Sequence, residues 1–242
     1  MATSTILVFS YYAIFVLQMV IISLFLTIQV VKGEKIAKPF LLSLVIFFLA
    51  YAIANLFLTL RYTGNLIDGN LIVYDQKANS FFTNIFAVIA PILLTYQVEK
   101  RFLPDIKIVS KYHIFFILNL ISFCIIGTIA IVVLITNPLL LFDPAFATRT
   151  FGAFILPFFS ISNIFFMVAF AYLSIKSSGK YRSYTFIIGL GWLINQCGNL
   201  LHQFVDASLL NNITTTIFFM AKWIGTFMTA YGFYKLYTLK NI

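Results

Sequence analysis

The chain has 242 residues, of which 62% are hydrophobic and 10% charged, and its formal net charge is +9. Soluble domains carry about a quarter charged residues, so this composition cannot furnish a water-facing shell and excludes a soluble globular protein. The positive charge is spread among the connections between apolar segments instead of gathered in one patch, which excludes nucleic acid as the partner and points to a lipid bilayer.

Apolar segments at about 4–31, 39–60, 80–98, 113–136, 150–175, 183–205 and 213–234 each approach or exceed the ~20 residues that cross a bilayer as helix. The expected fold is therefore all-α: a polytopic membrane protein with seven transmembrane helices in a single bundle spanning residues 1–242. Lys32, Lys35 and Lys38 follow span one; Lys100, Arg101, Lys107 and Lys111 follow span three; Lys176, Lys180 and Arg182 follow span five; Lys235 and Lys240 follow span seven. The alternate connections hold only Arg61, Lys77 and Arg149. Basic residues concentrate on the cytoplasmic side, so the amino terminus is expected outside and the carboxyl terminus inside. Span one has no basic n-region and no small-residue cleavage pattern, and it is expected to be retained.

The connection Tyr62–Asn70 is rich in turn formers and is expected to be a loop. Pro91 and Pro157 fall inside spans three and five, where a missing amide donor bends a helix. Cys124 and Cys197 lie inside spans and are read as packing residues. An offset of 144 residues lays spans one and two over spans five and six, matching Lys32 to Lys176, Lys38 to Arg182 and Asn55 to Asn199. That match makes a parallel three-plus-one-plus-three repeat conceivable.

Span six is the most polar. Asn195, Asn199, His202 and Asp206 recur at spacings of four, three and four, on one helical face, flanked by Gln196 and Gln203. Such groups are costly in hydrocarbon, so this face is expected to turn inward, with Gly191 and Gly198 permitting close approach. Plain interhelical bonding is the competing reading, since amides commonly hold membrane helices together at about 1 kcal/mol or less each. Span seven carries Thr215, Lys222, Thr226 and Thr229 on a matching stripe beside Gly225. The short connection between these spans puts the two stripes in contact. Asn55 and Asn84, with Gln18 and Asn163, are further candidates to line the same cavity. The candidate ligand-binding set is thus Lys222, Asn195, Asn199, His202, Asp206, Thr226, Asn55 and Asn84.

No span combines paired carboxylates, a metal-ligating cluster, a nucleophile with a base, or a phosphate-cradling glycine loop. Neither catalytic residues nor a metal site are expected, and the chain is not read as an enzyme. The acidic residues, Glu99 among them, fall in loops or at span ends, which disfavours a proton pump.

A lysine in the seventh helix resembles the retinal-binding lysine of microbial rhodopsins, which makes retinal a conceivable cofactor at Lys222. Span three lacks an acidic counterion, however, and Phe218 stands one turn before Lys222 where ion-pumping members carry an aspartate. A second resemblance rests on Tyr96-Gln-Val-Glu-Lys-Arg-Phe-Leu-Pro104, Ile175-Lys-Ser-Ser-Gly-Lys-Tyr-Arg182 and Tyr231-Gly-Phe233. Through them the chain is similar to the small seven-helix, sensor-type membrane proteins of archaea, related in layout to the seven-helix input regions of histidine kinases. This resemblance implies a prokaryotic plasma membrane and a receptor or sensor. The chain closes a few residues after span seven, so a signal is expected to need a separate membrane or cytoplasmic partner.

The leading expectation is a stand-alone receptor that binds a small ligand, an anion among the candidates, between helices six and seven near Lys222. The first alternative is a small-solute carrier built on the internal repeat, with the same polar residues as a midplane site. A third reading makes the chain a structural subunit of a membrane complex, with Lys222 paired to a partner's carboxylate.

Overall fold

The structure is a computed structural model that describes residues 2–32, 38–67, 73–142, 156–204 and 212–239. Among these residues all regular structure is helical, in eight α-helices: α1 (Ala2–Lys32), α2 (Lys38–Ile67), α3 (Val73–Phe102), α4 (Lys107–Tyr112), α5 (Ile114–Thr136), α6 (Leu156–Lys176), α7 (Gly179–Phe204) and α8 (Asn212–Thr238). A 3₁₀ turn occupies Pro138–Phe142. Among the described residues, three segments are long and apolar enough to cross a membrane: Phe9–Lys32, Lys38–Phe57 and Ile114–Thr136. The segment Ile161–Lys176 is apolar but shorter.

Two local features differ from the sequence reading. The segment Tyr62–Ile67 continues α2 instead of forming a loop, because extending an existing helix gains a backbone hydrogen bond per residue without a new nucleation cost. Asp68–Asn70 lie outside the described residues. Cys124 and Cys197 are both exposed free thiols, so they face out from the helices and do not fill a core.

The chain divides into two compact units, Met1–Ser162 and Asn163–Ile242. In the first, α1 packs on α2, α2 on α3 and α3 on α5, the expected outcome for consecutive helices joined by short connections. Helix α1 shows why this unit suits lipid. Tyr12, Phe15, Met19 and Leu26 form a buried stripe, while Ile14, Leu17, Ile21, Leu24 and Ile28 form an exposed one. Both faces are apolar, as in a membrane span. Helix α5 buries Asn119 and Ser122 beside Ile126 and Val133 and exposes Leu120, Ile121, Val132 and Ile135. Exposing so many aliphatic side chains while burying an amide suits hydrocarbon surroundings.

In the second unit, α6 meets α8 through Phe170 and Phe233, whose rings form an edge-to-face pair with centroids 5.2 Å apart. Phe166 meets Trp192 of α7 at 4.4 Å. Helices α7 and α8 approach backbone to backbone. A Cβ at Gly225 would lie 2.5 Å from the carbonyl oxygen of Gly191 and 2.5 Å from the amide nitrogen of Asn195. A Cβ at Gly191 would lie 2.8 Å from the carbonyl oxygen of Gly225. Small residues at facing positions allow this separation, and membrane helices gain van der Waals contact from it.

Because the atoms met at Gly225 are backbone, a side chain there must push two helices apart. Gly225→Ala is expected to lower the thermal midpoint of the detergent-solubilised protein by several degrees, about 2 kcal/mol of overpacking. At Gly127 an added Cβ meets nothing within 4 Å, so Gly127→Ala should leave the midpoint unchanged or raise it slightly. Circular-dichroism melts of the two variants check the contrast.

Candidate functional site

The seam between α7 and α8 carries the polar stripes of spans six and seven. The Asn195 side-chain amide donates to Thr226 Oγ1 at 2.6 Å and to the main-chain oxygen of Lys222 at 3.3 Å. Thr226 and Thr229 are both buried, and Thr229 Oγ1 donates to the Gly225 carbonyl at 2.8 Å. The glycine approach explains the geometry: with Gly191 and Gly225 in backbone contact, the short amide of Asn195 reaches across to α8 without a linking water. Lys222 is 7% exposed, and its Nζ lies 5.2 Å from the centroid of the Phe219 ring, one turn earlier on α8. Cation–π contacts of this kind contribute about 0.5–2 kcal/mol.

Of the residues expected at the site, the structure thus brings together Asn195, Thr226 and Lys222. Asn55 is buried in the first unit and donates to the Tyr51 carbonyl of its own helix at 2.7 Å. The side chains of Asn84, Asn199 and His202, and the whole of Asp206, lie outside the described residues. Gln196 and Asn163 form a second polar cluster with a partner that the sequence reading passed over. Asn163 Oδ1 of α6 accepts from Gln196 Nε2 at 3.0 Å and from the indole Nε1 of Trp192 at 3.2 Å. A buried indole N–H needs an acceptor, and Trp192 stands four residues before Gln196 on the same helical face.

The first unit holds a further buried polar cluster, anchored by Glu99. It stands at the polar end of α3, one residue beyond the apolar stretch, and its side chain is fully buried. Its Oε1 accepts from the backbone N–H of Phe115 at 2.7 Å, at the N-terminus of α5, where the first amides have no partner within the helix. His113, the residue preceding α5, adopts a left-handed backbone with φ 48° and ψ 49°, and its Nδ1 lies 3.6 Å from Glu99 Oε2. The Tyr96 ring packs on His113 at 4.8 Å. One turn up α3 from Glu99, Thr95 Oγ1 accepts from Asn119 Nδ2 at 3.4 Å and donates to the Pro91 carbonyl at 2.7 Å. Asn119 Oδ1 accepts from Ser162 Oγ. The sequence signal for this cluster was the four-residue spacing of Thr95 and Glu99, together with one amide, Asn119, in an otherwise apolar span.

With this geometry in view, comparison with family models, curated proteins and solved structures finds no match to the chain.

Burial raises the Glu99 carboxyl from its ordinary 4.5 to about 7, against the lowering effect of the amides of Phe115 and Phe116. Between these values the folded protein holds a proton that the unfolded chain releases. This group's contribution to stability is therefore fully present below about pH 4.5 and is lost as the pH rises through about 7. Glu99→Gln keeps an acceptor for the α5 amides and cannot ionise. It is expected to unfold within a degree or two of the wild type at pH 4.5, and on the order of 5 °C higher at pH 8. Thermal melts at the two pH values check this, and an equal offset at both would show that ionisation of Glu99 is not the cause.

Proposed function

We propose that the chain is a stand-alone seven-helix membrane receptor or sensor. In this reading α1, α2, α3, α5, α6, α7 and α8 cross the bilayer with the amino terminus outside. A small ligand, an anion among the candidates, binds beside the α7–α8 seam at Lys222. The observation that carries the reading is the burial of Lys222 at 7% exposure on a helix face shared with buried Thr226 and Thr229. An ionisable residue inside the membrane costs several kcal/mol and marks a functional pathway or pocket by default. Asn199, His202 and Asp206 continue the register of Asn195 along span six, so a ligand at Lys222 would have further hydrogen-bonding groups on the neighbouring helix. A carboxylate or phosphate there would interact with the ammonium in a low-dielectric setting. Because α7 and α8 touch through glycines, a small shift of one against the other would carry occupancy to the basic connections and on to a separate signalling partner.

A carrier is the second reading. It rests on the 144-residue offset that lays Lys32 over Lys176, Lys38 over Arg182 and Asn55 over Asn199. Uptake of solute into proteoliposomes that is lost with Asn195→Leu would favour carriage; saturable binding without uptake favours sensing.

Replacing a buried ion by apolar volume is commonly neutral or stabilising by about 1–4 kcal/mol. Lys222→Met is accordingly expected to raise the thermal midpoint by several degrees. It should also abolish the stabilisation that the best member of a panel of small carboxylates and phosphates gives the wild type. A lower midpoint for Lys222→Met, with the panel acting equally on both proteins, would make Lys222 a structural element and sink the receptor reading.

A further inference from the structure

An open apolar groove of about 470 Å³ runs between the C-terminal half of α6 and the N-terminal half of α7. Ala171, Ser174 and Gly189 line it with small side chains, and Val168, Ile175 and Phe186 line it with large ones. Val168, Ile175 and Phe186 are 61%, 79% and 56% exposed, so the groove opens outward from the helix pair. The Ser174 hydroxyl donates to the Ala171 carbonyl at 2.7 Å and therefore adds no unsatisfied polar atom to the surface.

The end of this groove is chemically distinct. Helices α6 and α7 are joined through Ser177 and Ser178, with Gly179 at φ +59° making the turn. Lys176 closes α6, and Lys180 and Arg182 stand in the first turn of α7, all three exposed. The first amides of α7 have no acceptor within the helix, and the positive end of its dipole faces the same side. These cations thus flank the connection at the end of the apolar channel, with Arg182 in helical register with Phe186, Gly189 and Leu193 of its lining and Lys176 Nζ 5.0 Å from the centroid of the Tyr172 ring. From Arg182 to Leu193, the far lining residue, α7 rises about 16 Å at 1.5 Å per residue. That is half of the ~30 Å hydrocarbon core, the depth to which one acyl chain reaches.

We infer that the α6–α7 groove is a binding site for an anionic phospholipid, with one acyl chain lying along Ala171 and Gly189 and the headgroup phosphate held by Lys176, Lys180 and Arg182. Basic clusters between membrane helices recognise acidic headgroups in this way. A neutral lipid would gain the same apolar contact but no charge pairing, so the site selects by headgroup and anchors by chain. The inference rests on α6 and α7 crossing the bilayer, as in the receptor reading, and makes no use of Lys222.

Native mass spectrometry of the detergent-purified full chain, titrated with phosphatidylglycerol or with phosphatidylcholine of identical chains, tests it. One phosphatidylglycerol should be retained at least tenfold more tightly than phosphatidylcholine. Neutralising Lys176, Lys180 and Arg182 to glutamine should weaken its retention by about fivefold per residue, whereas Lys107→Gln with Lys111→Gln should not. Ala171→Phe, and independently Val168→Trp, should fill the groove and weaken retention at least tenfold with an unchanged circular-dichroism spectrum. Lys222→Met should have no effect. Equal retention of the two lipids, an equal loss on neutralising Lys107 and Lys111, or full retention by both groove-filling variants would each overturn the proposal. Release of the protein from membranes by alkaline carbonate would instead sink the spans on which both readings stand.

Discussion

The constraint on which the rest of this structure depends is that hydrocarbon offers no hydrogen bonds, so each polar atom carried into it must be satisfied from within the helices. Most threonine hydroxyls meet it locally. Thr27, Thr59, Thr95, Thr128, Thr136 and Thr229 each donate to the carbonyl four residues earlier. In water this back-bonding is a minor and slightly unfavourable habit. In an apolar medium it lets a helix carry threonine without a partner helix, which is why hydroxyls on these spans do not by themselves mark a site. Amides cannot hide in the same way, because each brings two donors and an acceptor. The long-range side-chain bonds of both units accordingly gather at asparagines: Asn119 to Thr95 and Ser162, Asn163 to Trp192 and Gln196, Asn195 to Thr226.

In the seven-span reading the same constraint explains the glycine seam, because two helices in lipid gain nothing from excluding water between them and associate through close van der Waals contact and a few interhelical hydrogen bonds. Gly191 and Gly225 supply the contact and Asn195 supplies the bond, on one face of α7. The opposite requirement holds at the α6–α7 groove, where small side chains at Ala171, Ser174 and Gly189 leave a channel because large neighbours stand at its sides. Small residues therefore serve two ends in the second unit. Where small faces small the backbones meet, and where small is flanked by large a lipid-sized space opens.

Much of this was legible in the sequence. The run of Ile, Leu and Phe across α1, α2 and α5 identified membrane-crossing helices by length and composition, since both faces of such a helix are apolar. The stripe of Asn195, Lys222 and Thr226 was readable because a 3.6-residue period places polar residues on one face. The periodicity could not tell which neighbour each face meets. Asn195 turns to α8, while Gln196, the next residue, turns to α6. Asn55, in the first unit, bonds Tyr51 on its own helix. Glu99 was read as a span-end carboxylate outside any relay. Its burial depends on α5 starting beside it, a tertiary fact that no local pattern encodes.

Glu99 and Lys222 are both ionisable and both buried, and their surroundings differ. Glu99 is met by the amide of Phe115, by the positive end of α5 and by His113. The amide and the helix end favour the carboxylate without outweighing its burial, and a carboxyl group so placed fixes where one helix starts against another. Lys222 sits on a hydroxyl-bearing face, and its ring contact with Phe219 supplies about 0.5–2 kcal/mol. In the seven-span reading, a lysine at mid-span costs about 2.5–3.5 kcal/mol even on the most lenient insertion scale, and a methionine would fill similar volume at no such cost.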